Sequence, residues 1–176
     1  MDVSARLISL LACLALCASA PAGAITLGQI DDFEDGGTAG WTRGASSTTP
    51  PANFESGGPD GAEDNYLHSV STGVGRADSR MVMFNNAQWT GDYVAAGVGA
   101  IRMMVNNLGD TTLHLRVAIE GGPGNSQYSS FEANVIQPGS GWVQVVFGLS
   151  DFDLFSIIGS DTLAEVLADV GEVRVL

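Results

Sequence analysis

The run GAIRMMVNNLGDTTLHLRVAIE, residues 99–120, decides the fold class. From Gly99 to Asn106, Ile101, Met103 and Val105 alternate with Ala100, Arg102 and Met104. From Thr111 to Glu120, Leu113, Leu115, Val117 and Ile119 alternate with Thr112, His114, Arg116 and Ala118. Successive strand side chains point to opposite faces, so a period of two marks two half-buried strands. Asn106-Asn107-Leu108-Gly109-Asp110 between them has the composition of a hairpin turn.

Working outward, Gly141 to Gly148 is a third strand, with Val143, Val145 and Phe147 on one face and Trp142, Gln144 and Val146 on the other. Shorter strands are expected at Gln29 to Phe33, Tyr66 to Ser71, Ser79 to Asn85, Gln127 to Val135 and Glu172 to Leu176, with a short one at Gly40 to Thr42. Only Asp161 to Asp169 reads as helix: Asp161 is the expected N-cap, Glu165 lies near the first turn, and Leu163, Val166 and Leu167 share a face. Gly44 to Asp64 lacks periodicity and reads as a long loop of the kind that carries function. The pattern predicts an all-β, antiparallel β-sandwich with one short helix near the C-terminus.

The N-terminus has the layout of an export signal: Arg6, an apolar run from Leu7 to Cys17, and Ala22-Gly23-Ala24 as cleavage site. Residues 1–24 are then a signal peptide and 25–176 one sandwich domain, secreted or at the cell surface. Leu10-Leu11-Ala12-Cys13 also offers a loose lipobox. An apolar run this short does not span a bilayer. The formal charge is −13 with no Lys, which disfavours nucleic acid and anionic membranes as partners. Both cysteines, Cys13 and Cys17, lie in the signal, so disulfides, thiol nucleophiles and Cys-held zinc are excluded from the mature domain.

The stretch Asp31-Asp32-Phe33-Glu34-Asp35-Gly36 followed by Gly40-Trp41 resembles the N-terminal strand of jelly-roll carbohydrate-binding modules. Gly57-Gly58-Pro59, Asp64-Asn65-Tyr66-Leu67, Gln88-Trp89-Thr90-Gly91-Asp92-Tyr93, Leu113-His114-Leu115-Arg116 and Gly139-Ser140-Gly141-Trp142 extend the resemblance to secreted bacterial domains that precede Pro-Glu-Pro (PEP-CTERM) sorting tails. The resemblance implies a galactose-binding-like jelly roll, exported and surface-associated in exopolysaccharide-producing bacteria. It further implies another strand and a sorting tail after Val173 to Leu176. The chain thus reads as a fragment lacking its last strand, with an unpaired sheet edge.

Three constellations could carry chemistry. Asp31, Asp32, Glu34 and Asp35 place four carboxylates in five residues; the resemblance implies a structural Ca²⁺ with Glu34 as ligand, and Asp32 and Asp35 beside it complete the candidate set. The other reading is a solvated strand end. Arg102, His114, Arg116, Trp142 and Gln144 form a patch if their strands share a sheet, offering donors for hydroxyl pairs and a ring to stack on a pyranose. The other reading packs Trp142 under the long loop, and Trp41 after Gly40 reads as core. Trp89 and Tyr93 form either a loop-tip sugar platform or a cover over the sandwich end.

No G-x-S-x-G, H-E-x-x-H, P-loop or G-x-G-x-x-G occurs, and His68 and His114 stand apart in sequence. The leading expectation is a non-catalytic module, not an enzyme, binding extracellular or cell-surface polysaccharide. The alternative is a structural or adhesive surface protein without glycan specificity. A hydrolase would need two converging carboxylates.

Overall fold

The computed structural model describes residues 24–44, 47–71, 73 and 81–176. Residues 1–23 of the expected signal peptide, Cys13 among them, lie outside the described residues, as does the start of the strand expected at Ser79. Eleven strands run β1 (Ala52–Phe54), β2 (Tyr66–His68), β3 (Met83–Asn85), β4 (Ala100–Asn106), β5 (Leu113–Leu115), β6 (Val117–Gly121), β7 (Ser126–Ser130), β8 (Asn134–Ile136), β9 (Trp142–Gly148), β10 (Leu154–Ile158) and β11 (Val170–Val175). Two short helices, α1 (Tyr93–Ala96) and α2 (Leu163–Ala168), complete the described elements. Among the described residues every ladder between these strands is antiparallel. The fold is an all-β sandwich: a five-stranded sheet in the order β10-β7-β6-β11-β3 forms one side, and the β4–β9 and β5–β8 pairs form the other.

The alternation explains the core. Ile101 and Phe147 lie opposite each other in β4–β9, Val117 and Val175 in β6–β11, and all four are buried. Ile119 and Val173, also paired, are almost wholly excluded from water. Each such side chain contributes about 1.5–3 kcal/mol on burial. On the outward face of the same sheet Arg174 pairs with Glu120 and Glu172 and lies over the Phe84 ring, 5.4 Å from its centroid.

The connections differ from expectation. Asn106 to Asp110 is not a hairpin, because β4 pairs with β9 and β5 with β8. Asn107 is buried at this corner; its side chain donates to the carbonyls of Thr111 (2.8 Å) and Ile136 (3.0 Å) and accepts from Gly109 N–H (3.1 Å). The Thr111 to Glu120 run breaks at Arg116, where the chain passes from the β5–β8 pair to the five-stranded sheet. Leu115 and Val117 stay buried across this passage, so the inward alternation reads as one unbroken strand. Gln127 to Val135 likewise splits into β7 and β8.

Gln29 to Phe33 forms no strand: Phe33 is left-handed, with φ 61°, and opens a turn closed by Gly36 N–H to Phe33 O (3.0 Å). Of Gly40 to Thr42, only Thr42 bridges, to Phe84. β1 lies inside the expected long loop, and α1 begins at Tyr93, the last residue of the Gln88–Tyr93 segment read as loop. The edge expected beside Val173 to Leu176 is absent, because β11 lies between β6 and β3. Among the described residues no helix is long and apolar enough to cross a membrane.

α2 packs Leu163, Val166 and Leu167 inward, as the spacing predicts, but its N-cap is Thr162. Thr162 Oγ1 accepts from Glu165 N–H (3.3 Å) while the Glu165 carboxylate accepts from Thr162 N–H (2.7 Å). Asp161 instead accepts from Gly124 N–H (2.9 Å) and Ser126 Oγ–H (2.8 Å). Removing the cap by Thr162→Ala is expected to cost about 1 kcal/mol in chemical denaturation. The backbone and side-chain bonds from Thr162 hold the Glu165 carboxyl below its ordinary range. A lowered folded pKa means that this contribution is present above the unfolded glutamate pKa and is lost as pH falls through the folded value.

Candidate functional site

The outward face of β4–β9 follows from its register. Asn106 lies opposite Trp142, Met104 opposite Gln144, and Arg102 opposite Val146. Directly paired residues share a face, so these six form one surface. Arg102, Met104, Gln144 and Val146 on it are exposed, whereas Ile101, Val145 and Phe147 turn to the core. The side chains of Arg102 and Gln144 form no hydrogen bond or ion pair with any other described residue, which leaves a guanidinium and an amide open to solvent.

Trp142 is held at one end of this surface. Its indole N–H donates to Gly57 O (2.9 Å), and its ring meets Tyr66 edge-on with centroids 5.4 Å apart. Tyr66 stacks on Phe54 at 5.5 Å, and His68 contacts Phe54 edge-on at 4.8 Å. β1 and β2 pair Phe54 with Tyr66 and Ala52 with His68, so period two gathers all three rings on one side of the hairpin. The result is an aromatic ridge continuous with Trp142. Sequence reasoning missed Phe54, Tyr66 and His68; the signal is the Tyr66-Leu67-His68 alternation, obscured by reading the partner strand as loop.

The acidic cluster positions this hairpin. The Phe33 carbonyl accepts from the Asn53 side chain (2.7 Å) and the Asn65 side chain (3.1 Å), and Glu34 Oε1 accepts from Asn65 N–H (2.8 Å). The turn carrying the Gly57 carbonyl is closed by Gly58 N–H to Asp64 O (2.8 Å) and Asp60 N–H to Asp64 Oδ2 (2.7 Å). Gly58 is required there, since a Cβ would lie 2.4 Å from Asp64 Oδ2.

Asp32, Glu34 and Asp35 do not converge. Each carboxylate accepts from a backbone N–H, of Glu34, Asn65 and Gly37 respectively. Strand alternation of Asp32 and Glu34 is also lost, because Phe33 is left-handed. Among the described residues no three His, Cys, Asp or Glu side chains are grouped to hold a metal ion. The three carboxylates that the resemblance assigns to Ca²⁺ thus turn to separate backbone donors.

Asp31 ties two tryptophans together. Its Oδ2 accepts the indole N–H of both Trp41 (2.7 Å) and Trp89 (2.6 Å), and its Oδ1 accepts from the Gln88 side chain. Trp41 is buried, and Trp89 packs half-buried against the core with its donor occupied. Tyr93 is wholly buried, donates to Trp89 O (3.0 Å), and has its phenol pKa pushed up by burial. The Trp89–Tyr93 segment is thus folded into the sandwich end, and Tyr93 presents no surface to a ligand.

Arg116 lies apart from the outward face. Its guanidinium donates to the carbonyls of Ser130 (2.6 Å) and Phe131, and its backbone pairs with Leu176. His114, exposed opposite Val135, is on the outer side of β5–β8. Of the sugar-patch residues expected from sequence, the fold brings together Arg102, Trp142 and Gln144.

No family model matches this chain. Comparison with curated proteins and with solved structures gave no match either. The geometry therefore carries the functional argument.

Proposed function

We propose that this chain is an exported, non-catalytic sandwich module that binds extracellular or cell-surface carbohydrate across the outward face of β4–β9. The observation that carries the reading is Trp142, fixed in orientation by Gly57 and Tyr66 and in line with the unpaired Gln144 and Arg102. A pyranose needs an apolar surface against its C–H face and donors and acceptors at its rim, which these groups supply. The six residues of the face include no acid, whereas glycoside cleavage calls for a pair of carboxylates. The formal charge of −13 favours a neutral glycan over an acidic one. The sequence resemblance to secreted jelly-roll modules agrees with this reading. A structural or adhesive surface protein, the second reading, draws on another part of the molecule, the exposed edge strand β10.

Gln144→Ala is the cleaner probe, because Gln144 is exposed and holds no other described residue. Calorimetric titration with soluble neutral polysaccharides is expected to show a loss of roughly threefold to tenfold in affinity, one hydrogen bond's worth, with the melting temperature unchanged. Trp142→Ala is expected to weaken binding further and to lower stability by releasing the hairpin. A Gln144→Ala variant that binds as tightly as wild type would sink the proposed face.

A further inference from the structure

Among the described residues strand β10 is an uncovered edge of the five-stranded sheet. It pairs with β7, and no other described strand lies on its far side. Edge strands present unpaired N–H and C=O groups, and natural sheets commonly guard them with charge or proline. β10 carries neither: Leu154 to Ser160 contains no charged residue and no Pro. Phe155, Ile157 and Ile158 are 44%, 48% and 57% exposed. Beside them Phe131, also exposed, meets Phe155 edge-on at 6.0 Å.

We infer that β10 is a self-association edge whose occupant is β10 of a second copy, paired antiparallel about a two-fold axis at Ser156. The strand is palindromic in polarity: Leu154-Phe155-Ser156-Ile157-Ile158 reads apolar, apolar, Ser, apolar, apolar in either direction. The two-fold sets Phe155 against Ile157 of the other copy, Leu154 against Ile158, and Ser156 against itself. An isologous contact needs this self-complementarity. The flanking Asp153 and Asp161 are held within their own loops, Asp153 by Ser150 N–H and Asp161 by Gly124 N–H and Ser126 Oγ–H, so the apolar strand between them is the contact. Paired along β10, the two five-stranded sheets become continuous. The register shift between Ser156 and Ile158 leaves Ile157 without an opposite residue on β7, adding to the exposed apolar surface. The inference uses a different surface from the glycan face and stands independently of it.

Sedimentation of the purified protein over a concentration series is expected to show a reversible monomer–dimer equilibrium. Ile157→Lys, which sets a charge on the edge, is expected to raise the dissociation constant roughly tenfold or more. Leu108→Lys, at an exposed apolar site elsewhere, should leave it unchanged. Should Ile157→Lys unfold, Phe155→Ser tests the same contact, and in wild type the β10 amides should exchange more slowly as concentration rises. A monomer at every concentration would overturn the inference, including the case of an edge covered by another partner or by another segment of this chain. So would a dimer insensitive to the β10 variants.

Discussion

Asp31→Ala is expected to destabilise the domain by about 3–4 kcal/mol, lowering the melting temperature by roughly 10 °C. The carboxylate accepts three side-chain donors, the Trp41 and Trp89 indoles and the Gln88 amide. Hydrogen bonds to a charged group contribute about 1.5–3 kcal/mol each, and a buried donor left unpaired costs about 1–3 kcal/mol. Trp41 cannot turn to water, being buried, whereas Trp89 and Gln88 recover part of their loss by solvation. Asp31→Asn keeps an acceptor oxygen and is expected to lose about half as much. Denaturant titration followed by tryptophan emission checks both effects. A wild-type midpoint for Asp31→Ala would show that the node is ornamental.

Gly121→Ala is expected to cost about 3 kcal/mol or more, from overpacking against backbone. A Cβ there would lie 2.2 Å from Asp169 O and 3.0 Å from Val166 O, at the end of α2. Gly121 is also held on both sides, opposite Ser126 in β7 and Val170 in β11, so it cannot withdraw. The helix end must move instead, which breaks the bond from Gly122 N–H to Asp169 O (2.9 Å). Thermal melting should register a loss of roughly 10 °C. A shift within a degree or two would mean that α2 is loosely docked.

What was legible in the sequence was local. Ile101, Met103 and Val105 announce β4, and Val143, Val145 and Phe147 announce β9, because alternation records which face is buried. It does not record the partner. The turn chemistry of Asn106 to Asp110 suggested a hairpin, whereas Asn107 uses its amide to tie the nearby Thr111 carbonyl to the distant Ile136 carbonyl at a corner between strand pairs. Three-residue strands such as β1 are too short for a period to register. The left-handed Phe33 is set by what its carbonyl accepts, two asparagine side chains from the hairpin, and no local propensity marks it.

The site divides in the same way. Arg102, Trp142 and Gln144 were legible because they are the outward members of two strong strands. Arg116 alternates identically, yet its guanidinium is consumed by the carbonyls of Ser130 and Phe131, a long-range match. Tyr93 shares its segment with Trp89 in a polar setting, and only the packed sandwich end reveals that it is buried. At the acidic run, where the resemblance implies a cation, the carboxylates are divided among separate backbone donors and, through Asp31, two indoles, an arrangement set by long-range packing that composition does not record.

The three tryptophans provide the direct test of the proposed glycan face. In a ¹⁵N-correlated NMR titration with neutral soluble polysaccharides, each indole N–H gives its own signal. The account predicts that the Trp142 indole and the Gln144 side-chain amide shift progressively with ligand, while the Trp41 and Trp89 indoles, both bound to Asp31, stay in place. Shifts at Trp89 without Trp142, or no shift with any glycan, would contradict it.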